Sequence, residues 1–274
     1  MNFLVLLLVL WVEKFSSGRR RIQQDGFWLQ QLKQIEARGI SPWIALAVLV
    51  LLPVALLGLL LLVLKPLAYG WLALPVHLLV LVYSLGRGDV LAALGPFRDA
   101  WRRGDDQAAL HVAERDLGVE ADEEGEVLLG VQRYELWQAY QGFFAVIFWY
   151  ALLGPLLALA YRLLALAAEH GSAGLAERAA QLRHALDWLP ARVLAASFAL
   201  VGNFAAVSRA VLHDLLSWDI SAAQLLFHAG RAASELPEPQ AGEQGVSSLD
   251  ELWQLLVRSA VLWYAAFAVW ILLL

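Results

Sequence analysis

The chain has 274 residues, of which 60% are hydrophobic and only 16% are charged. A typical soluble domain carries about 25% charged residues, so this composition is typical of a protein with several membrane spans. The formal net charge of −5 gives no reason to expect nucleic-acid binding. The absence of cysteine excludes disulfides, iron–sulfur clusters and thiolate zinc sites.

Residues 1–85 are predicted to hold an apolar segment, a basic loop and a transmembrane hairpin. Residues 1–12 are apolar but shorter than the about 20 helical residues that cross a bilayer, so whether they cross stays open. Residues 13–42 carry six Lys or Arg, which favours a cytoplasmic loop under the positive-inside rule. Residues 43–64 are free of charge and form the clearest predicted span, and residues 69–85 are expected to form a second one.

Residues 86–142 have the polar composition of a small cytoplasmic helical subdomain. Asp105 is predicted to cap a helix that runs to Leu117, and Gly118 is predicted to end that helix in the left-handed conformation. Apolar residues recur at helical spacing over residues 127–136, which predicts an amphipathic helix that leads toward the membrane.

Residues 143–207 are the next predicted segment. Residues 143–168 are long enough to span the bilayer, but the Gly154-Pro155 pair is predicted to break or bend that helix near its middle. Residues 188–207 are apolar and interrupted by polar side chains, so they form either a weak span or a helix that lies against the others.

Residues 208–274 complete the chain. An amphipathic helix is expected over residues 208–233, followed by a Pro/Gly/Glu-rich mobile linker over residues 234–247. Ser248 and Glu251 have the spacing of a capping box, which predicts that they begin a C-terminal transmembrane helix.

Together these segments predict an all-α, polytopic helical membrane protein with four to six membrane segments. The charges do not decide on which side of the membrane residues 169–252 lie, because that depends on whether residues 188–207 cross.

Three stretches resemble one membrane-protein family: AVIFWYALLGPLLALAYR at 145–162, LDWLPAR at 186–192 and, more weakly, FRDAWRRGDDQAAL at 97–110. Their order and spacing are similar to those in the family that joins AmpE with the cobalamin-biosynthesis protein CbiB, also called CobD. The run that ends in Val12-Glu13-Lys14-Phe15 and the C-terminal span are similar to AmpE specifically.

The departures from the CbiB pattern concern carboxylates. CbiB-type proteins are similar to ATP-dependent amide-forming enzymes, and a site for magnesium and polyphosphate requires oxygen ligands, usually carboxylates. Where the CbiB pattern carries acidic or amide residues, this sequence has Gln138, Gln141, Arg183, His184 and Ala165. The resemblance therefore implies the fold but not the synthase activity, and no catalytic residue, metal or cofactor is expected.

The resemblance implies a multi-pass protein of the bacterial inner membrane. AmpE-type proteins are implied to belong to the route that connects peptidoglycan recycling with β-lactamase induction, and their operon partner is the cytoplasmic anhydro-muropeptide amidase AmpD. We expect a non-enzymatic regulatory protein that binds a ligand or partner: a cell-wall metabolite or the amidase, in addition to the lipid bilayer. The alternative is a divergent enzyme on a CbiB-like fold that acts on a cell-wall metabolite or a lipid-linked substrate.

Five polar residues are candidates for ligand binding: Gln138, Gln141, His184, Asp187 and Arg192. Arg192 has the geometry to hold a phosphate or carboxylate, but the favoured alternative is structural, with Asp187 as a helix cap and Arg192 as a headgroup anchor. His184 and Asp187 share a helical face, yet two ligands without a third are weak support for a metal site. Gln138 and Gln141 either bind a ligand or tie helices together.

His77 lies within the predicted second span. Ionisable residues at that depth are functional candidates. A neutral histidine can equally form a hydrogen bond across a helix interface, and this second interpretation is favoured.

Overall fold

The computed structural model describes residues 5–8, 22–66, 71–86, 89–120, 124–240 and 242–273, and these residues contain helices and no strand. Most of the apolar segment 1–12 therefore lies outside the described residues. The described residues after Ile22 form twelve helices: α1 Gly26–Ala37, α2 Pro42–Leu64, α3 Ala73–Ser84, α4 Val90–Arg102, α5 Asp106–Val112, α6 Glu124–Ala139, α7 Ala145–Leu153, α8 Pro155–His170, α9 Ala173–Val201, α10 Phe204–Val211, α11 Ala222–Ala233 and α12 Glu243–Leu273. The predicted all-α fold is confirmed.

Two of these helices are extended by π-helical turns. Residues Ala113–Leu117 continue α5, and residues Tyr140–Phe144 join α6 to α7. Single π turns inside helices are often found at functional positions.

The chain divides into two compact units, each built from separated stretches of sequence. The first unit holds residues 1–85, 145–187 and 274, and the second holds residues 86–144 and 188–273. The division into four consecutive segments stays a prediction.

Three helices in the described part of the chain are long and apolar enough to cross a membrane: Pro42–Leu64, Glu126–Leu153 and Glu243–Trp270. The first confirms the predicted span 43–64. Its leucines are largely exposed, as lipid-facing side chains are, because a bilayer replaces water as the solvent for apolar surface.

The predicted second and third spans differ from the structure. Helix α3 has 12 residues, which give a length of about 18 Å at 1.5 Å per residue. This helix is too short to cross a bilayer core that is about 30 Å thick.

The third predicted span is broken at its middle. Gly154 has φ 78°, and Pro155 occupies the first turn of α8, so the predicted break is confirmed. The membrane-length helix ends at this break, at Leu153, and does not run through it over residues 143–168.

The core of the first unit packs α1, α2, α8 and the first part of α9 around leucine and alanine side chains, among them Leu46, Leu49, Leu163 and Ala167. Trp28 of α1 adds its indole Nε1, which donates to the carbonyl oxygen of Leu49 at 3.3 Å. This bond satisfies the polar atom of an otherwise apolar contact.

The core of the second unit packs α4, α5, α6 and the start of α12 around residues that include Phe97, Trp101 and Val131. Both predicted ends of the helix after Asp105 are confirmed. The Asp105 carboxylate accepts from the backbone N–H of Ala108 at 3.1 Å, and Gly118 has φ 65°.

The C-terminal part departs most from the sequence prediction. Helix α9 runs unbroken to Val201, so residues 188–207 do not form a separate helix, and they are not among the membrane-length helices of the described chain. Residues 208–233 do not form one helix: they hold the end of α10 and, after a stretch of turns, the whole of α11. A capping box does begin α11, at Ser221 and Gln224.

Ser248 does not begin the last helix, because α12 already starts at Glu243. The Ser248 hydroxyl is buried, where it donates to the Gly245 carbonyl oxygen at 2.6 Å and accepts from Gln132 Nε2 at 2.7 Å. The spacing of Ser248 and Glu251 is that of a capping box, but the serine bonds to two buried groups instead, so the spacing alone was misleading.

Candidate functional site

Asp187 lies in the interior of α9 and is not a helix cap. Its side chain is almost fully buried, and its carboxylate accepts a hydrogen bond of 2.7 Å from the hydroxyl of Tyr161. The guanidinium of Arg183, one helical turn earlier, forms an ion pair with the other oxygen at 3.6 Å. Burial, together with the adjacent Asp187 charge, raises the pKa of Tyr161 well above its usual value, so this hydroxyl keeps its proton and remains a donor.

A second ion pair, partly buried, lies in the same unit, and the sequence did not predict it. Arg162 and Asp25 approach to 3.4 Å, and the hydroxyl of Tyr83 donates to the other oxygen of Asp25 at 3.0 Å. Tyr161 and Arg162, which end the family-like stretch 145–162, therefore bind one carboxylate each. The adjacency of a tyrosine and an arginine inside an apolar run was the available signal for this arrangement.

His77 and Tyr150 join α3 to α7. The ring nitrogen Nδ1 of His77 lies 3.0 Å from the Tyr150 hydroxyl, and the two rings are almost perpendicular. This is the contact that the helix-interface interpretation expects. A functional role for His77 stays a prediction.

His184 is half-buried, on the same helix as Asp187. In the described part of the chain, no group of three or more His, Cys, Asp or Glu side chains is placed to hold a metal ion.

Arg192 belongs to the second unit and binds backbone. Its guanidinium donates to the carbonyl oxygens of Leu215 at 2.7 Å, Ser217 at 2.5 Å and Trp188 at 2.9 Å. The guanidinium carbon also lies 4.3 Å from the centre of a Trp188 ring, which is a cation–π contact. Arg192 thus fixes the turns after α10, and it does not reach out as a headgroup anchor. Burial lowers its pKa.

Gln138 and Gln141 are half-buried and bonded to each other, with Gln141 Nε2 donating to Gln138 Oε1 at 2.8 Å. Gln141 lies in the π turn that joins α6 to α7. Within this turn, the Gly142 carbonyl oxygen accepts from the backbone N–H of Gly86 at 2.7 Å. A Cβ atom on Gly86 would lie 2.7 Å from the Gly142 Cα, so the two backbones require glycine to meet.

The five predicted ligand residues therefore fall into separate groups. Gln138, Gln141 and Arg192 belong to the second unit, while His184 and Asp187 belong to the first. The structure pairs the two glutamines, but it joins Asp187 and Arg192 to groups that the sequence had not singled out. Their role in ligand binding stays a prediction.

A cleft of about 810 Å³ in the second unit was also missed. It lies where α9 ends and α10 begins, beside the end of α11 and one face of α12. Asn203 lines the cleft: its side-chain oxygen caps α10 by accepting from Ala206 N–H at 2.9 Å, and its side-chain amide donates to Glu235, which also lines the cleft. Glu235 has φ 48°, a conformation that is uncommon for residues other than glycine.

The wall of the cleft carries charges of both signs, from Glu235, Glu251 and Arg258. Arg258 also donates to the last carbonyl of α9, that of Val201, at 3.2 Å. The buried hydroxyl of Ser234 has no hydrogen-bond partner among the described residues, although buried hydroxyls normally have one. An arginine inside an apolar C-terminal helix was the sequence signal for this cleft.

One comparison with known proteins gave a match. A family model described as "Regulatory signalling modulator protein AmpE" matches residues 1–232. The comparisons with curated proteins and with solved structures gave no match. The likeness to the cobalamin-biosynthesis proteins stays a prediction. The match over most of the chain shows that this membrane protein belongs to the AmpE family of regulatory signalling modulators.

Proposed function

We propose that the chain is a multi-pass protein of the bacterial inner membrane with a non-enzymatic regulatory role, linked to β-lactamase induction and peptidoglycan recycling. It acts by binding a ligand or a protein partner. The observation that carries this proposal is the AmpE family match over residues 1–232, in a chain whose described residues include three membrane-length helices.

The bonding of the conspicuous charged residues supports a non-enzymatic role. Asp187 already accepts from Tyr161 and pairs with Arg183, and Arg192 already satisfies three backbone carbonyls. Charges that are held this way stabilise the fold, whereas a catalytic acid or phosphate clamp must direct its polar atoms at a substrate.

Two places in the second unit are candidates for the ligand contact. The first is the half-buried pair Gln138 and Gln141 beside the π turn. The second is the cleft with Glu235, Glu251 and Arg258 on its wall, which offers carboxylates to a cationic group and a guanidinium to an anionic one. A cell-wall metabolite that carries amino and carboxyl groups has both kinds of charge, and the cytoplasmic amidase AmpD is the proposed protein partner.

A thermal-shift screen on the purified protein in nanodiscs tests this proposal. Anhydro-muropeptides, UDP-linked cell-wall precursors, ATP with magnesium, and cobinamide are added separately, because a ligand that binds only the folded state raises the melting temperature. We expect a shift with a cell-wall metabolite in the absence of ATP. The variants Gln141→Ala and Glu251→Gln then show which of the two places binds the ligand, because the rise in melting temperature disappears in the variant that lacks the binding side chain.

The control for both variants is Glu114→Gln, which changes an exposed acid elsewhere in the second unit. A shift with ATP and magnesium that either site variant abolishes would overturn the proposal in favour of the enzyme alternative. If no small molecule produces a shift, binding of the amidase to the nanodisc-embedded protein is measured next, and failure of that binding as well would contradict the proposal.

A further inference from the structure

The second unit exposes a run of large apolar side chains between the end of α9 and the start of α11. Leu200, Phe204, Leu212, Leu216 and Trp218 are each between 54% and 79% exposed. Val207 and Val211 of α10 are buried instead and attach the helix to its unit. The segment 200–218 is thus apolar on its inner side and on much of its outer side.

We propose that this outer side rests in the interfacial layer of the lipid bilayer, so that residues 200–218 form a membrane-surface anchor that does not cross. Helix α10 has eight residues, which give a length of about 12 Å, too short for a bilayer core of about 30 Å. An amphipathic helix with aromatic and aliphatic side chains on one face and cationic side chains on the other is typical of an interfacial anchor.

The composition of the segment fits a lipid surface. Phe204 and Trp218 supply aromatic rings, which favour the headgroup level, and the exposed Arg209 supplies a cation for lipid phosphates. Helix α12 of the same unit is of membrane length and exposes Val257 and Val261. The unit therefore already presents a lipid-facing surface, and the anchor needs no other partner to cover its apolar groups.

Arg192 explains how the anchor keeps its shape. Residues 212–220 are turns without a helix to hold them, and Arg192 fixes them by donating to the carbonyls of Leu215 and Ser217. Leu216, which lies between those two carbonyls, is 79% exposed. The bonds from Arg192 to these two carbonyls hold the turn in which Leu216 and Trp218 are exposed. On this account, residues 188–207 approach the bilayer at its surface and do not cross it.

The chain contains no cysteine, so single cysteines can be introduced and spin-labelled without background. Leu216→Cys and Phe204→Cys test the anchor, Val261→Cys on α12 gives the lipid reference, and His228→Cys on the exposed side of α11 gives the water reference. The labelled proteins are placed in nanodiscs of phosphatidylethanolamine and phosphatidylglycerol. Collisions with oxygen, which concentrates in lipid, are compared with collisions with a water-soluble nickel chelate.

The measured quantity is the ratio of oxygen collisions to nickel collisions at each label. We expect this ratio to be several-fold higher at positions 216 and 204 than at position 228, and closer to the ratio at position 261. A nickel accessibility equal to that at 228 would place the segment in water and overturn the proposal. Low accessibility to both reagents would show that protein covers the segment, which also overturns it. Position 204 begins α10 and position 216 lies in the turns after its end, so a local distortion at one of them does not decide the result.

Discussion

Asp187 and Arg192 lie close together on α9 and in the same family-like stretch, LDWLPAR, but they belong to different units and bond in different ways. Asp187 is held by side chains, the hydroxyl of Tyr161 and the guanidinium of Arg183. Arg192 is held by backbone carbonyls, two of which belong to the turns after α10. A stretch that looks like one binding motif therefore carries out two structural tasks: it neutralises a buried charge in one unit and fixes a loop in the other.

The Asp187 cluster should show the largest effect on stability. Asp187→Ala removes the carboxylate from a buried guanidinium and the acceptor from a buried hydroxyl, and we expect it to lower the free energy of unfolding by about 4 kcal/mol. Unfolding by SDS in mixed micelles measures this. The control is Asp187→Asn, which keeps an acceptor for Tyr161 and should cost less, and equal losses in the two variants would contradict a role for the Tyr161 bond.

The Arg192 contacts should come next. Arg192→Leu leaves the Leu215 and Ser217 carbonyls without their donor, and we expect a loss of about 3 kcal/mol in the same assay. The matched control is Arg209→Leu on the exposed side of α10, which should change stability by less than about 0.5 kcal/mol. If the two leucine variants were equally stable, Arg192 would not be the residue that holds the turns.

The His77 contact in the first unit should have the smallest effect. Tyr150→Phe removes one hydrogen bond between helices in an apolar setting, for which about 0.6 kcal/mol is typical in membrane proteins. The same unfolding assay applies, with His77→Phe as the reciprocal variant. A loss several times larger than this would show that His77 and Tyr150 do more than join α3 to α7.

Local signals predicted the parts of the fold that depend on few residues. The charge-free run 43–64 became α2, the Gly154-Pro155 pair broke the helix, and Asp105 capped its helix. In each case a single physical constraint decides the structure: the length of an apolar run, a missing backbone N–H, or a side chain that satisfies a free donor.

Features that depend on contacts between distant parts of the chain could not be predicted from local sequence patterns. The Ser248 spacing matched a cap, but Gln132 from α6 supplies its partner. Asp187 had the position of a helix cap, yet it lies inside α9, which continues past it to Val201. Arg258 inside the apolar C-terminal helix pointed to a polar site, but its partners in the cleft could not be foreseen, because the ends of α9 and α11 lie far from α12 in sequence.

The most direct test of the regulatory role is β-lactamase induction in cells. A bacterial strain that lacks this protein is complemented with the native chain, Glu251→Gln or Glu114→Gln, at equal amounts in the membrane, and β-lactamase activity is measured before and after addition of a β-lactam. We expect loss of the chain to change the induction ratio, and we expect the native chain and Glu114→Gln to restore it. An induction ratio that is identical with and without the chain would contradict the account.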